Sequence, residues 1–513
     1  MIAAGDVTSF YVSPNGQYVV FTADRDVDGE TEIYSAKTDG TSTVQLNAAF
    51  SHGAADVKNV TSTITMSPDS LRVVYTADAQ IDERIDAYIV NLDGTGFVRL
   101  NDPTTVGAAM DISGSPYFTP DGTKVIYMAD EAVDEQVEAW SVDVDGTNKV
   151  RLNGVQVAGD VTAFHITPDS SKVVYRADHD TGAQFELWAV DVDGNNKTKL
   201  NGALAATWDF HIGTSASGTG TMQISNTEII GQMADGNAPF DSDLYALPLN
   251  GAGEYLLHPV LGHNAQMGGY RFTPDFSKIF NRANYNTVGV IELFSVDADG
   301  NNHATVSGAL VALGAVANYL ISPDSSLVAA VGDLEADTID ELYVMPVAGG
   351  ARTKLSSAIV ANGDLPSSSN IPMAWRPNSS GVVFLGDLDT DEVRELYYAP
   401  ADGSTRIKLN DTLPLGSAGF TSVFYDRWFE PIPDGSGVIY TIDEETATLP
   451  ELYFVSYDGT TRRKLNTTLV TNGAVSGTGV HDVTFIVAEN SDGVAYIADG
   501  DVDGKIELYW IGL

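Results

Sequence analysis

The sequence predicts an all-β fold, a β-propeller of ten four-stranded blades, and three observations carry that prediction. An acidic, an aliphatic and an aromatic residue follow one another ten times along the 513 residues, from Glu32-Ile33-Tyr34 to Glu507-Leu508-Tyr509. A loop rich in Asp or Asn precedes most of these triplets. Between the triplets, apolar and polar residues alternate with the period of two that is typical of strands. Ten copies of one unit indicate a repeat protein whose core grows blade by blade.

The fourth repeat shows the predicted elements of one blade most clearly. Pro168 and Asp169 suit a tight turn, because Pro presets φ and Asp bonds the backbone ahead of it. Asp193-Gly194 suits a hairpin, because Gly tolerates a positive φ. The predicted strands are 161–166, 172–176, 185–190 and 197–200, with an acidic loop over 178–184 between the second and the third. Four short antiparallel strands without helical periodicity are typical of a propeller blade.

The ten repeats fill residues 1–513, which we expect to form a single domain. Nothing between them is typical of an interdomain linker, so the sequence favours one large ring over two five-bladed rings that meet near residue 260. Blade five lacks the Pro-Asp turn, and blade ten stops without a fourth strand. The approximate blades are 1–47, 48–101, 102–153, 154–201, 202–256, 257–306, 307–355, 356–410, 411–466 and 467–513.

The order of motifs in each repeat resembles a known family. Ser67-Pro68-Asp69 illustrates its turn, Val173-Val174-Tyr175 its second strand and Glu341-Leu342-Tyr343 its third. The succession resembles the PD40 or TolB-like propeller repeat and covers essentially the whole chain. The resemblance implies four-stranded blades around a central channel with the first strands innermost. It says little about activity, because the superfamily includes binding modules, peptidase gates and lyases that hold a metal through histidines.

The acidic loops are the candidate functional sites. Asp at positions one, three and five with a carboxylate at position nine offers the oxygen ligands that Ca²⁺ prefers, and Gly at position six permits a sharp turn. We therefore predict calcium as the bound ion. The full pattern occurs at Asp24, Asp26, Asp28 and Glu32 in blade one, at Asp499, Asp501, Asp503 and Glu507 in blade ten, and, with Glu392 replacing Gly, at Asp387, Asp389, Asp391 and Glu395 in blade eight. Partial sets are Asp333, Glu335, Asp337 and Glu341 in blade seven; Asp78, Asp82 and Asp86 in blade two; Asp130, Asp134 and Glu138 in blade three; and Asp178, Asp180 and Glu186 in blade four.

A structural interpretation of these loops stays open, because Asp and Gly are common in hairpins. The acidic residue before Leu-Tyr or Leu-Phe persists at Glu292 and Glu451, where the rest of the pattern decays. This persistence indicates that the ninth carboxylate also has a structural role. Blade six has Asn284, Asn286 and Val288 instead of the Asp series and is expected to bind no ion.

Composition narrows the possible partners. With 70 acidic and 27 basic residues the net charge is −43, so nucleic acid and anionic membrane surfaces are repelled. The chain has no Cys, which excludes disulfides and thiolate metal sites. No apolar run is long enough to suggest membrane insertion, and no signal peptide is visible at the start. The calcium-like loops favour an extracellular or cell-envelope location.

The sequence leaves three functions open. The first is a non-catalytic, calcium-stabilised interaction or scaffold module of a larger exported multidomain bacterial protein, with an unidentified protein or carbohydrate ligand. The second is an enzyme, either a metal-dependent polysaccharide lyase or a propeller attached to a hydrolase, although no catalytic motif is recognisable. The third is an envelope protein-binding role similar to that of TolB.

Overall fold

The structure is a computed structural model. It describes the chain except for residues 1–5, 26–29, 48–59, 79–83, 102–111, 134–135, 155–158, 179–183, 203–207, 212–222, 236–237, 259–266, 357–358, 367–372, 415–419, 421–427, 447–448, 467–468, 470–473, 476–483 and 500–504. The described residues form forty β-strands and no helix, which confirms the all-β prediction. None of them belongs to a helix that could span a membrane.

The chain divides into two compact units, Met1–Leu257 and His258–Leu513, and each contains five antiparallel sheets. Each sheet is one blade, so the predicted β-propeller fold class with ten blades is confirmed. The prediction of one domain over residues 1–513 stays a prediction.

The first unit holds blades one to five. Its strands are, in blade one, β1 (Val7–Val12), β2 (Tyr18–Ala23), β3 (Glu32–Lys37) and β4 (Thr43–Gln45); in blade two, β5 (Val60–Met66), β6 (Arg72–Ala77), β7 (Asp86–Asn91) and β8 (Val98–Arg99); in blade three, β9 (Tyr117–Phe118), β10 (Lys124–Ala129), β11 (Glu138–Asp143) and β12 (Val150–Arg151); in blade four, β13 (Val161–Ile166), β14 (Lys172–Ala177), β15 (Glu186–Asp191) and β16 (Thr198–Lys199); and in blade five, β17 (Trp208–His211), β18 (Gln223–Ile224), β19 (Glu228–Asp235), β20 (Ala238–Pro248) and β21 (Tyr255–Leu256).

The second unit holds blades six to ten. Its strands are, in blade six, β22 (Met267–Phe272), β23 (Lys278–Ala283), β24 (Glu292–Asp297) and β25 (Ala304–Thr305); in blade seven, β26 (Val316–Ile321), β27 (Leu327–Gly332), β28 (Glu341–Pro346) and β29 (Thr353–Lys354); in blade eight, β30 (Met373–Trp375), β31 (Gly381–Gly386), β32 (Glu395–Pro400) and β33 (Ile407–Lys408); in blade nine, β34 (Phe429–Pro431), β35 (Gly437–Ile442), β36 (Glu451–Ser456) and β37 (Arg462–Lys464); and in blade ten, β38 (Phe485–Val487), β39 (Gly493–Ala498) and β40 (Glu507–Gly512).

Within a blade, strands that follow one another in sequence pair with one another, except in blade five. In blade four the register runs from Lys172 opposite Asp191 to Ala177 opposite Glu186. In every blade except the fifth, the acidic residue of the triplet therefore begins the third strand. This register places the acidic loop at one edge of the blade, by which we mean one end of its strands. There the loop connects the second strand to the third, and these are the two most buried strands of the blade.

The turn between the first and second strands lies at the opposite edge. In blade four, Thr167 Oγ1 and the Ser171 N–H both donate to Oδ1 of Asp169, at 2.7 and 3.0 Å. Ser170 adopts a left-handed φ of 62° and accepts a hydrogen bond on Oγ from the Asp121 N–H of blade three (2.9 Å). The turn chemistry therefore also joins neighbouring blades. Equivalent bonds join Asn15 to Ser70, Asp275 to Ser325, Asp324 to Ser379, and Asp434 to Ser491.

The end of the fourth strand fixes the start of the third. In blade eight, Oδ1 of Asn410 accepts the N–H of Leu396 at 2.7 Å, which satisfies a buried backbone donor. Either Asn or Ser has this role in eight blades, through Asn47, Asn101, Asn153, Asn201, Ser307, Ser356, Asn410 and Asn466. The bonded N–H always follows the acidic residue of the triplet, so this contact holds the ninth position of each loop.

Apolar side chains of adjacent blades pack together to form the core. Between blades seven and eight, for example, Val331 and Leu342 share a buried cluster with Val382, Phe384 and Tyr397. Each large side chain buried in this way contributes about 1.5–3 kcal/mol. The loops at both edges are thus mounted on a continuous apolar support.

Two blades differ from the regular pattern. In blade five, β19 is long enough to pair with β17 through residues 232–235 and with β18 through residues 229–230, so this sheet has a fifth strand. In blade ten the described residues form three strands, as the sequence indicated. In blade five the pairing of β19 with β20 reaches Asp235 opposite Ala238, so these two strands continue into the positions that hold the acidic loop in the regular blades.

Candidate cation-binding loops

The first carboxylate of the acidic loop joins two loops. In blade eight, the Asp364 N–H donates to Oδ1 of Asp387 (2.5 Å), and the Glu392 N–H donates to its Oδ2 (3.1 Å). In blade seven, Asp333 accepts the N–H groups of Ala315 and Thr338 in the same way, at 2.5 and 3.3 Å. Position one thus fastens the acidic loop to the segment that enters the first strand of its own blade. The segment bonds recur from Asp6 to Asp24, from Asp160 to Asp178, and from Ala474 to Asp499.

A glycine before this donor allows the two segments to approach. A Cβ on Gly363 would lie 2.6 Å from the carbonyl oxygen of Asp387, and one on Gly159 would lie 2.7 Å from Oδ1 of Asp178. Real side chains do not tolerate such distances, so only glycine fits. The pairing of Gly-Asp or Gly-Ala with the first loop carboxylate is a sequence signal that our sequence reasoning missed.

The sixth loop position is left-handed even where it is not glycine. Glu392 has φ 60° and Thr338 has φ 69°, close to Gly289 with φ 83° at the same position of blade six. Residues with a Cβ are strained in this region by roughly 1–2 kcal/mol. Blades seven and eight therefore keep the turn that Gly29 and Gly504 were expected to permit in blades one and ten.

The ninth carboxylate is buried and satisfied within its own blade. Glu395 accepts the hydroxyl of Tyr397 at 3.1 Å, and Glu341 accepts that of Tyr343 at 2.8 Å. Burial and the bond to Glu341 raise the pKa of the Tyr343 hydroxyl well above its usual range. Where the aromatic residue of the triplet is Tyr, its hydroxyl thus satisfies the acidic residue two positions before it.

A basic residue of the fourth strand, thirteen positions further on, neutralises most of these ninth carboxylates. Lys408 Nζ lies 2.8 Å from Oε1 of Glu395, and Lys354 Nζ lies 2.6 Å from Oε2 of Glu341. A fixed register between the third and fourth strands places the two side chains side by side. The other pairs are Arg99 with Asp86, Arg151 with Glu138, Lys199 with Glu186, and Lys464 with Glu451.

In blades seven and eight the lysine also reaches the third carboxylate. Lys408 Nζ lies 3.7 Å from Asp389, whose other oxygen accepts Arg406 at 3.0 Å. In blade seven, Lys354 Nζ lies 3.5 Å from Glu335. An ammonium group therefore stands between positions three and nine of both loops, where sequence reasoning placed a divalent ion.

Blade one is different because its fourth strand carries no basic residue. The residue thirteen positions after Glu32 is Gln45. Its Nε2 donates to Oε1 of Glu32 at 3.0 Å, while the Tyr34 hydroxyl donates to Oε2. A neutral amide satisfies the carboxylate without cancelling its charge. The fourth strand of blade one thus offers the ninth carboxylate an amide, where the fourth strands of blades two, three, four, seven and eight offer Arg or Lys.

Sequence reasoning missed one further acidic position of the loop, which two glutamates occupy. Position two of the loop is Glu131 in blade three and Glu444 in blade nine, both in contact with a second-strand tyrosine hydroxyl at 3.0 Å. Burial raises the pKa of Glu444 even though Arg462 lies nearby. In blades seven and eight the same position is Leu334 or Leu388 in the apolar core. These glutamates are therefore structural replacements for leucine.

Asp364 is an acidic group that the loop pattern does not include. Partial burial, followed by the negative charges of Asp387 and Asp340, raises the pKa of its carboxyl group, although Arg394 opposes the shift. Asp391 adds to the same field. The surface next to loops seven and eight therefore carries carboxylates that Lys408 and Lys354 do not fully compensate.

Not every predicted ligand can be placed. Asp26, Asp28, Asp82, Asp134, Asp180, Asp501 and Asp503 lie outside the described residues. Among the residues that the structure does describe, no three acidic or histidine side chains converge closely enough to hold a metal. Asp78 and Asp130 begin the loops of blades two and three, and the second oxygen of Glu186 is buried with no partner among the described residues. Glu507 accepts the Tyr509 hydroxyl at 2.9 Å.

The chain was compared with family models, with curated proteins and with solved structures. No family model and no curated protein matches this chain. An oligogalacturonate lyase in complex with manganese is similar over 77% of this chain and 87% of its own, at 15% identity and a TM-score of 0.33. An oligogalacturonate lyase from Vibrio parahaemolyticus is similar over 99% of this chain and 98% of its own, at 13% identity and a TM-score of 0.37. A putative TolB from Agrobacterium tumefaciens is similar over 50% of this chain and 80% of its own, at 17% identity and a TM-score of 0.27.

Proposed function

We propose that the protein is a non-catalytic, calcium-stabilised interaction module of an exported protein, with its ions held by the acidic loops between the second and third strands. One observation carries the calcium part of this proposal. The loop of blade one matches the calcium pattern fully, and its fourth strand offers Gln45 where blades with an internal cation have Lys or Arg. An external cation would supply the positive charge that Gln45 does not provide.

The charge of the blade-one loop supports the same conclusion. Residues 24–32 contain five carboxylates and one basic side chain, Arg25, which lies over the Tyr34 ring at 5.4 Å. Two carboxylates about 5 Å apart repel each other by about 3 kcal/mol at an effective dielectric constant near 20. Hard oxygen ligands in a flexible loop suit Ca²⁺ better than Mg²⁺, which requires strict octahedral geometry.

The proposal implies an order of affinities. Blade one is expected to bind calcium most tightly, together with blade ten, whose loop has the same full pattern. Blades two, three, four, seven and eight are expected to bind more weakly, because Arg or Lys already neutralises their ninth carboxylate. For an extracellular or cell-envelope location we expect affinities of about 10⁻⁴–10⁻³ M, which are typical of extracellular calcium modules.

Gln45→Lys tests the proposal by giving blade one the internal cation of blade eight. Isothermal titration with Ca²⁺ should show one site fewer than in the wild type, and the melting temperature should respond less to calcium. Gln17→Lys is the matched control, because Gln17 is exposed at the opposite edge of the same blade. If Gln45→Lys and Gln17→Lys bind the same number of ions, or if calcium leaves the wild-type melting temperature unchanged against EDTA, the proposal is wrong.

A further inference from the structure

Blade six and the segment that enters blade seven expose large apolar side chains where blade eight carries polar ones. Val288 is 70% exposed at loop position five, which is Asp337 in blade seven and Asp391 in blade eight. Leu313 is 68% exposed immediately before Gly314, where the segment entering blade eight has Asn362. Val288 and Leu313 are therefore more apolar than their equivalents in blade eight, Asp391 and Asn362.

The backbone of Leu313 makes its side chain more unusual. Leu313 has φ 67°, nearly the same as Asn362 with φ 66°. Asn tolerates the left-handed region well, whereas Leu is strained there. The Leu313 side chain is also exposed to solvent, so burial does not offset the strain. A strained residue with an exposed apolar side chain points to a role outside the folding of the chain.

Leu313 lies against the loop of blade six that exposes Val288. The Ile291 N–H donates to the Gly314 carbonyl (3.1 Å), and the Val316 N–H donates to the Ile291 carbonyl (2.7 Å), so the Leu313 segment runs along the loop of blade six. A Cβ built on Gly289 would lie 3.8 Å from Cδ2 of Leu313, which places this leucine over the neighbour of Val288. On its other side the same segment contacts blade seven, through the bond from the Ala315 N–H to Asp333.

The adjoining loop of blade seven carries Asp333, Glu335 and Asp337 against two basic side chains, Arg352 and Lys354, which both contact Glu335. Glu335 and Asp337 are exposed on the adjoining loop of blade seven, where Ile339 is also exposed. Further along the same unit, Asp364 lies in the field of Asp387 and Asp340. An apolar centre with a negative border is complementary to an aliphatic side chain flanked by Lys or Arg. A second copy of this chain, with its net charge of −43, would meet like charge instead.

We propose that Val288 and Leu313 form the apolar centre of a docking surface for a basic polypeptide segment that carries an aliphatic anchor. This surface specifies the partner of the proposed interaction module. It lies in blades six and seven, whereas the Gln45→Lys experiment reports on blade one, so either idea can fail without the other.

The test uses the full chain and three synthetic peptides in fluorescence anisotropy. The first has paired lysines on both sides of two leucines, the second replaces the leucines by serines, and the third replaces the lysines by serines. The first should bind wild-type protein at least tenfold more tightly than the other two. Leu313→Asn should remove that advantage and raise the melting temperature. Leu71→Asn, at an exposed leucine of blade two, is the matched control and should change neither.

Three results would overturn the proposal. The first is equal binding of the leucine and serine peptides, which indicates a charge effect alone. The second is that the double variant Leu313→Asn and Val288→Asp binds the leucine peptide as tightly as the wild type does. The third is self-association of the wild type that Leu313→Asn abolishes, since the occupant is then a second copy.

Discussion

Replacing Lys408 by Gln should convert an internally neutralised loop into a calcium-dependent one. The ammonium lies 2.8 Å from Glu395 and 3.7 Å from Asp389. At an effective dielectric constant near 20 the two attractions amount to about 6 and 4 kcal/mol before desolvation. About a third of the Lys408 side chain is exposed (34%), so solvent screening and desolvation reduce the net stabilisation to about 1–3 kcal/mol.

In EDTA, the free energy of unfolding of Lys408→Gln should therefore be about 2 kcal/mol lower than that of the wild type. Calcium at a hundred times its dissociation constant restores about 2.7 kcal/mol, because it binds only the folded loop. Differential scanning calorimetry across a calcium titration, with isothermal titration for the number of sites, measures both effects. The variant should be less stable than the wild type without calcium, gain one site and recover with calcium.

Lys278→Gln separates this effect from the loss of any ion pair. Lys278 pairs with Asp297 in the same unit, and both side chains are about as shielded as Lys408. This control should lose a little stability that calcium does not restore. If Lys408→Gln responds to calcium no more than Lys278→Gln does, the lysine does not occupy a cation position and the reasoning is refuted.

Two further predictions concern the backbone of the blades. Thr338→Gly should raise the free energy of unfolding by about 0.5–1 kcal/mol in a denaturation titration, because it relieves a left-handed residue with φ 69°; a loss of stability would contradict the strain. Hydrogen bonds from Ser322 and Ser326 lower the pKa of Asp324 to about 2, so its stabilisation is present above pH 4 and is lost as the pH falls towards 2. Asp324→Asn should be less stable than the wild type at pH 7 and approach it near pH 2, since Asn378 shows that a neutral amide accepts equivalent bonds but carries no charge, whereas Asp324→Ala should also lose the bonds, at about 1 kcal/mol; equal melting temperatures of Asp324→Asn and the wild type at pH 7 would contradict this assignment.

Much of the fold was predictable because its signals are local. The alternation over 161–166 became β13 (Val161–Ile166), and the Asp193-Gly194 hairpin joins β15 to β16. The fifth strand of blade five was not predictable. It depends on how far β19 extends beyond the pairing that a regular blade needs, and no local pattern limits that length.

The candidate site was predictable only in part. The series of carboxylates identified the loops, and Gly at position six suggested the left-handed turn that Thr338 and Glu392 adopt. The partners of the carboxylates were not foreseen. Lys408 is thirteen residues from Glu395, and only the register of the third and fourth strands makes the two neighbours.

The sequence by itself determined the number of blades, the edge that carries the acidic loops and the excess of negative charge, since each follows from spacing and composition. Tertiary structure decided which carboxylates meet a lysine and which meet a neutral amide, as Glu395 and Glu32 do. It also brought Leu313 against Gly289, the residue after Val288, although Leu313 and Gly289 are 24 residues apart. The physical reason is that charge neutralisation and apolar contact act over a few ångströms, and those distances are set by strand register and blade packing.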